Sequence, residues 1–205
     1  MRSSVDENPE NPRPTRGEPI LYGFLRHVRI FSDEGKGKFL LSQERGGKAM
    51  RHPERELENK ETIIAMLERS GVGRIATVNP KGYPVIKPVN FLYLEGKIYF
   101  HSSTKGEKIE DIERGTSVCF EIDEPIAYVV AGALACKASH LYRSILIKGK
   151  AAFVKDRNKK RKVLDRLMEK YQPERGDGEM SAEILEKTAV IEILIKELTA
   201  KENLG

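Results

Sequence analysis

The sequence contains no tryptophan and only two cysteines, Cys119 and Cys136, in 205 residues. Two cysteines cannot form the disulfide framework that stabilises small secreted domains. The chain also lacks any stretch close to the roughly 18 apolar residues of a membrane span, and its first residues have no apolar signal-peptide core. We therefore expect a cytoplasmic protein that makes no contact with a membrane.

A strong excess of one charge is absent as well, because 36 Lys+Arg face 31 Asp+Glu and leave a net charge of +5. A nucleic-acid-binding protein usually concentrates its positive charge on one face. The densest basic run, residues 155–162, opens a predicted helix and is typical of a solvated helix face. A basic nucleic-acid-binding barrel is therefore the least favoured function, and we expect no nucleic-acid partner.

The first 49 residues differ in composition from the rest of the chain. Four of the ten prolines fall within the first nineteen residues, and four glycines follow between positions 35 and 47. Such a segment buries too little apolar surface to offset the entropy lost on ordering. We predict a poorly ordered extension over residues 1–49 and a functional domain over residues 50–205. A mis-assigned start codon, with translation from Met50, remains an alternative.

The pattern of apolar and turn residues after position 50 predicts a β-rich domain with short helices. The predicted strands cover residues 73–79, 83–94, 97–102, 116–123, 143–154 and 188–198, and the predicted helices cover residues 59–71, 104–114, 156–171 and 181–187. Residues 124–141 are expected to be irregular. Six strands in meander order, with helices at the joints, favour an antiparallel barrel with helical additions.

Local signals mark the ends of several of these elements. Asn59 is a suitable N-cap for the first helix, and residues 79–82 and 95–96 have the composition of tight turns. Pro84 and Pro88 lie inside the second predicted strand, where each removes a donor from the hydrogen-bond ladder. Their positions favour an edge strand or a bulge.

The segment from residue 97 to residue 112 suggests an anion site. A predicted strand ends in His101-Ser102-Ser103-Thr104 and runs directly into a helix that starts at Lys105-Gly106. Hydroxyl groups, free backbone N–H groups and the two lysines Lys105 and Lys108 would meet at this helix start, an arrangement suited to phosphate. An ordinary capped helix with exposed lysines is the alternative that local chemistry leaves open.

Other chemistry has little support in the sequence. No Walker loop, dinucleotide fingerprint or metalloprotease motif is present. Cys136 and His140 are the one pair with a spacing that suits a metal, and without a second such pair we expect no metal site. Cys136 as a reactive thiol, with His140 as the nearby base, is a minor alternative.

Five segments together resemble a known family. They are Gly73-Arg-Ile-Ala-Thr-Val78, Gly82-Tyr-Pro-Val-Ile-Lys-Pro-Val-Asn-Phe91, Lys97-Ile-Tyr-Phe-His-Ser-Ser-Thr-Lys-Gly-Glu-Lys108, Val118-Cys-Phe-Glu-Ile-Asp123 and Tyr142-Arg-Ser-Ile-Leu-Ile-Lys-Gly149. Their order and spacing are similar to those of the pyridoxamine 5'-phosphate oxidase-like split-barrel flavoproteins, and the nearest branch is the nitroimidazole-resistance (Nim-type) group. The resemblance extends over about residues 52–200.

The resemblance implies a fold and a cofactor. It implies a six-stranded antiparallel split β-barrel with Greek-key connections, and a homodimer that holds FMN in a groove at the subunit interface. The residues implied at the phosphate and ribityl end are His101, Ser102, Ser103, Thr104, Lys105 and Lys108. The segment implied along the isoalloxazine ring is Lys87, Pro88, Val89 and Asn90, while Tyr142, Arg143 and Ser144 would line the flavin site across the interface.

The resemblance also indicates a reaction class. It implies an FMN-dependent oxidoreductase that passes electrons from a reduced donor to a small acceptor such as a nitroaromatic, with His101 as the catalytic candidate. A hydrogen-bonding role for His101 without proton transfer, and a non-catalytic flavin-binding module, are the alternatives. True pyridoxamine 5'-phosphate oxidase activity is not expected, because the C-terminal tryptophan- and arginine-bearing segment of those enzymes is missing.

The apolar run over residues 126–136 is compatible with burial in a dimer interface.

Overall fold

The computed structural model describes residues 52–130, 138–174 and 180–205. The predicted extension over residues 1–49 lies outside the described residues, as do Cys136 and the rest of the apolar run after residue 130. Within the described ranges, none of the helices is long and apolar enough to cross a membrane.

The described chain is mainly antiparallel sheet with a few short helices, which confirms the predicted fold class. The strands are β1 (Gly73–Val78), β2 (Pro84–Val89), β3 (Phe91–Leu94), β4 (Lys97–Ser103), β5 (Ser117–Val129), β6 (Ser139–Phe153) and β7 (Thr188–Asn203). The helices are α1 (Lys60–Arg69), α2 (Glu107–Glu113), α3 (Arg157–Tyr171) and α4 (Ala182–Lys187), preceded by a 3-10 turn at Pro53–Arg55.

The sheet has seven strands, in the order β2-β1-β5-β6-β7-β4-β3, instead of the six predicted. The predicted strand over residues 83–94 divides at Asn90, so that β2 and β3 form opposite edges of the sheet and, in the described residues, do not pair with each other. This is the opening that makes the barrel split. Pro84 and Pro88 lack a backbone donor, and β2 accordingly pairs with β1 alone.

The turns follow the local signals in the sequence. The side-chain oxygen of Asn79 accepts hydrogen bonds at 3.0 Å from the backbone N–H groups of Lys81 and Tyr83, in a turn closed by Gly82 at φ +82°. Glu95 and Gly96 both have positive φ, as the tight hairpin between β3 and β4 requires. Both predicted turns are confirmed.

Two predictions about element length are wrong. The segment predicted to be irregular contains paired strand at both ends, because β5 and β6 stay paired, across a register shift between Pro125 and Ala127, as far as Val129 and Ser139. The helix predicted over residues 104–114 begins only at Glu107, since Gly106 adopts φ +117° and is not helical. The N-cap prediction for Asn59 is confirmed by its 2.7 Å hydrogen bond from the Thr62 N–H.

The core is divided into two clusters by the sheet. The larger cluster fills the barrel, while the smaller one lies between the sheet and the helices α3 and α4. Strand β4 contributes to both, because Phe100 faces the larger cluster and Tyr99 faces the smaller one. Burial of β4 ends at His101, which is exposed, and the polar end of this strand therefore emerges at the surface.

Candidate anion-binding cleft

An open cleft of about 370 Å³ lies between β2 and the segment that joins β4 to α2. It is lined by Lys87, Pro88, Ser102, Lys105, Gly106, Glu107, Lys108 and Ile109. Five of the predicted cofactor residues therefore meet here, although they come from two segments about fifteen residues apart. A shallow depression of about 450 Å³ on α3 is lined by residues of that one helix, with both signs of charge. It therefore does not bring separate segments of the chain together.

The cleft has an excess of positive charge. Lys87, Lys105 and Lys108 line it together with a single carboxylate, that of Glu107. Glu107 is 3.8 Å from the amine of Lys87, whereas Lys105 and Lys108 form no ion pair within the described part of the chain. Two uncompensated cations beside one open volume favour an anionic ligand.

Lys108 is the best-placed of these cations. Its amine lies 5.1 Å from the centroid of the Phe100 ring, in a cation–π contact that holds the side chain over the end of β4. Partial burial lowers the pKa of Lys108, and the positive charge of Lys87 lowers it further. The two amines thus repel each other across the cleft, and a bound anion would relieve that repulsion.

His101 stands beside this charge. It is exposed at the end of β4, opposite Val190 of β7, and it directly precedes the cleft residue Ser102. Desolvation lowers the pKa of His101, and the charge of Lys108 adds to the effect. The neutral imidazole is therefore favoured at neutral pH, with one nitrogen free to accept a hydrogen bond.

The predicted gathering of hydroxyl groups at a helix start is only partly correct. Ser102 lines the cleft, whereas Ser103 and Thr104 are exposed beside it. The hydroxyl of Ser103 accepts a 3.3 Å hydrogen bond from the backbone N–H of Lys105, so it is engaged with the backbone. Helix α2 has only seven residues, so the positive charge of the site comes from the lysine side chains and not from the N-terminus of the helix.

Helix α2 is fastened to β1 by a buried carboxylate that the sequence reasoning missed. Asp111 is fully buried and accepts a 2.6 Å hydrogen bond from the hydroxyl of Thr77. Its other oxygen is 2.9 Å from the guanidinium of Arg114, an ion pair without hydrogen-bond geometry. An acidic residue between the core residues Ile109 and Ile112 was the available signal, but its partner could not be read from the sequence.

The residues predicted along the flavin ring follow β2 into the break in the sheet. Lys87 and Pro88 are exposed and line the cleft, while the side chain of Val89 is buried in the core. Asn90 is exposed between β2 and β3. For Val89, only the backbone can therefore face a ligand in the cleft.

Tyr142, Arg143 and Ser144 do not join this cleft within one chain. They lie on β6, whose sheet neighbours are β5 and β7. Arg143 forms a 3.0 Å ion pair with Glu202 of β7. Their contribution across a subunit interface stays a prediction.

Residues 59–202 match the model of the family described as pyridoxamine 5'-phosphate oxidase. The chain belongs to this family. Its membership confirms the resemblance seen in the five sequence segments. Among curated proteins, none matches this chain.

The chain is similar in fold to several solved structures. A putative 5-nitroimidazole antibiotic resistance protein from Bacteroides thetaiotaomicron is 25% identical, with a TM-score of 0.63, and the match covers 72% of this chain and 86% of that one. A flavocytochrome from Azotobacter vinelandii is 21% identical, with a TM-score of 0.68 over 77% and 73% of the two chains. An FAD- and heme-binding protein from Mycobacterium smegmatis is 21% identical, with a TM-score of 0.67 over 74% of each chain.

The cleft combines residues for which the sequence resemblance implies two different roles at one cofactor. Residues from β2 and from the β4–α2 segment, which the resemblance placed at two ends of one cofactor, line one continuous surface. Among the described residues no three His, Cys, Asp or Glu side chains converge as metal ligands. The cleft is thus a site with an excess of positive charge.

Proposed function

We propose that this protein is a flavoprotein that binds FMN with its phosphate in the lysine-lined cleft. The observation that carries the proposal is the convergence of Lys87, Lys105 and Lys108 around a volume with only one carboxylate. Similar solved structures include a flavocytochrome and an FAD- and heme-binding protein, which is in keeping with a flavin in this fold. FMN, rather than FAD, is proposed because the cleft offers one compact group of cations.

The residues present fit such a group. Lys105 and Lys108 would neutralise the phosphate, and Ser102 would donate a hydrogen bond to it. Gly106, at φ +117° and with no atom within 4 Å of the position a Cβ would take, leaves the backbone open to close approach. The stretch from Lys87 to Asn90, in which only the side chain of Val89 is buried, follows an edge of the sheet, where backbone groups are free to meet the polar rim of a ring.

Electron transfer would then be the function of the site. Bound flavin supplies the redox chemistry, and the protein supplies binding, orientation and electrostatics. His101, with its lowered pKa, would present a neutral imidazole beside the cofactor and hold or accept a proton at one ring nitrogen. We propose an oxidoreductase that passes electrons from a reduced donor to a small acceptor, and the similarity to a putative nitroimidazole resistance protein makes nitroaromatics the first acceptors to test.

A second copy of the chain is proposed to complete the site. Within the described chain, residues 127–129 of β5 pair only with residues 139–141 of β6, which have no register partner on β7. Tyr128 in this two-stranded ribbon and Val130 directly after it are exposed. The rings of Tyr128, His140 and Tyr142 follow one another at centroid distances of 4.7 and 5.9 Å. Since an isolated two-stranded ribbon is marginally stable in water, we propose that a homodimer covers it and brings Tyr142, Arg143 and Ser144 towards the partner's flavin.

The visible spectrum of the purified protein, followed by titration of the apoprotein with FMN, tests the proposal. We expect absorbance bands of oxidised flavin and saturable quenching of FMN fluorescence. A colourless protein that leaves FMN fluorescence unchanged would refute the flavin assignment. Anaerobic reduction with NADH or NADPH and re-oxidation by a nitroaromatic then separates an oxidoreductase from a non-catalytic flavin-binding module, in which no turnover follows.

A further inference from the structure

The break between β2 and β3 is closed by side chains from the end of α3. The hydroxyl of Tyr171 accepts a 2.8 Å hydrogen bond from the backbone N–H of Phe91, the first residue of β3. The same hydroxyl lies 2.9 Å from the carbonyl oxygens of Phe91 and Gly71, and it donates its one proton to these two acceptors. Tyr171 thus occupies the place on this sheet edge that a neighbouring strand would take.

Lys170 adds a second donor at the same point. Its amine donates to the Phe91 carbonyl at 3.1 Å and lies 4.3 Å from the centroid of the Phe91 ring. Both backbone groups of Phe91 that face away from β4 are therefore bonded to consecutive residues of one helix. An unsatisfied backbone group at this buried position would otherwise cost free energy.

Phe91 transmits this attachment to the end of β2. Its ring is fully buried and meets the ring of Phe120 edge-to-face, with 5.0 Å between centroids. Phe120 in turn covers Gly73 so closely that a Cβ on that residue would lie 2.1 Å from the ring. Gly73 is the register partner of Val89, the last residue of β2. Consecutive contacts therefore connect Tyr171 to the end of β2.

The end of β2 is the wall of the cleft, and the sheet itself holds it weakly. Lys87 and Pro88 line the cleft directly before Val89. Strand β2 pairs with a single neighbour, and two of its six residues are prolines without a backbone donor. The direction of Lys87 towards Lys108 consequently depends on how the corner formed by Gly71, Val89 and Phe91 is held.

We propose that Tyr171 is a positioning residue for the cleft. Its hydroxyl holds the corner so that Lys87 and Pro88 face Lys105 and Lys108 at the distance that one phosphate-bearing ligand requires. The expected effect on ligand binding rests on the proposed FMN function. The geometric part concerns the cleft itself and is measurable without a ligand.

The test compares Tyr171→Phe with Tyr99→Phe in the full-length protein. Tyr171→Phe keeps the ring and removes the hydroxyl from the corner. Tyr99→Phe removes a hydroxyl that lies 3.4 Å from Glu192 on the α3 side of the sheet, away from the corner. We expect Tyr171→Phe to weaken FMN binding about tenfold, the effect of one or two lost hydrogen bonds, and Tyr99→Phe to leave it within about twofold.

A second measurement does not depend on flavin. Lys87 lowers the pKa of Lys108 in part, and this pKa can be measured from the pH dependence of Lys108 acylation, followed by mass spectrometry. Tyr171→Phe is expected to raise this pKa towards that of an ordinary lysine, because Lys87 moves away, and Tyr99→Phe is expected to leave it unchanged. A merely structural loss of stability would not move the pKa of the folded protein.

The outcomes separate this inference from the proposed function. If wild-type protein binds no FMN, the flavin proposal fails, and the pKa of Lys108 alone decides whether Tyr171 positions Lys87. An unchanged Lys108 pKa in Tyr171→Phe overturns the inference, as does FMN affinity equal to that of wild type. If Tyr171→Phe does not fold, Lys170→Met removes the other donor to the Phe91 carbonyl, and we expect it to weaken FMN binding about threefold.

Discussion

The hydroxyl of Thr77 in β1 donates a 2.6 Å hydrogen bond to the carboxylate of Asp111 in α2, and both residues are buried. Asp111 stands one turn after Lys108 on the same short helix. Because a helix of seven residues has little stability of its own, this contact with β1 helps to fix the position of α2 and of its residue Lys108. The fold thus uses a buried polar pair to place an exposed charge.

Replacement of Asp111 by alanine should destabilise the protein, because the Thr77 hydroxyl loses its acceptor and Arg114 loses its partner. We expect the free energy of unfolding in urea to fall by about 2–3 kcal/mol. Glu113→Ala removes an exposed carboxylate from the same helix and should change it by less than about 0.5 kcal/mol. Equal losses in the two variants would contradict the anchoring role of Asp111.

Removal of Lys108 should weaken FMN binding. Lys108→Ala deletes a charge from the cleft, and we expect the dissociation constant to rise about ten- to a hundredfold, the effect of one charge-assisted hydrogen bond. The loss should shrink as ionic strength increases, because salt screens the interaction that Lys108 itself makes with the phosphate in the wild type. Lys81→Ala, in the exposed turn before β2, is the matched control and should bind FMN like the wild type in a fluorescence titration.

The same substitution should change the titration of His101. The pKa of His101 is lowered first by desolvation and then by the positive charge of Lys108. Lys108→Ala removes the second cause only, so the pKa should rise without returning fully to the ordinary value. NMR titration of the His101 ring protons measures it, and a pKa that stays constant would show that Lys108 does not act on the imidazole.

Stability should rise with pH above neutrality because of Lys170. Burial lowers the pKa of Lys170 to about 8, while the nearby charge of Glu68 partly opposes the shift. In the unfolded chain the amine keeps its proton up to the ordinary lysine pKa of about 10.4. Between these two values the unfolded state binds more protons than the folded state, and the free energy of unfolding therefore increases with pH.

The variant Lys170→Met isolates this contribution. Urea denaturation from pH 8 to pH 9.5 should give a smaller increase of unfolding free energy for Lys170→Met than for the wild type. Lys60→Met, in the first turn of α1, is exposed and should keep the wild-type slope. Parallel curves for all three proteins would mean that Lys170 loses its proton at the same pH in the folded and unfolded states.

Much of the fold could be predicted because the decisive signals are local. Asn59 caps the helix that follows it, and Asn79 organises the turn in which it lies. The break at Asn90 could not be predicted from local pattern, because the backbone of Phe91 directly after it is bonded to Tyr171, which lies 80 residues after Phe91 in the chain. Sequence pattern alone predicts one long strand there, since Phe91 continues the apolar run.

The residues of the candidate site also divide into those that local sequence predicts and those that it does not. The stretch from Ser102 to Lys108 could be recognised as an anion site from its own composition, apart from the late start of α2. Lys87 lacks such a signal and was placed at the site by the family resemblance alone. The anchor Asp111 was missed because a buried acid is recognised only with its partners, and Thr77 lies 34 residues away.

The ribbon formed by the ends of β5 and β6 should control both assembly and flavin binding. Tyr128 is 67% exposed and Val130 is 72% exposed, although both are large and carry substantial apolar surface. Val130→Glu would place a charge in the proposed dimer interface, where burial of an unpaired carboxylate is strongly unfavourable. We expect sedimentation velocity at micromolar concentration to show a monomer for Val130→Glu and a dimer for the wild type. FMN affinity should fall when the dimer is lost, because the partner's contribution to the site is lost.

Ile184→Glu introduces the same charge at an exposed apolar residue of α4 and should leave the dimer intact. A dimeric Val130→Glu variant would exclude this ribbon from the interface.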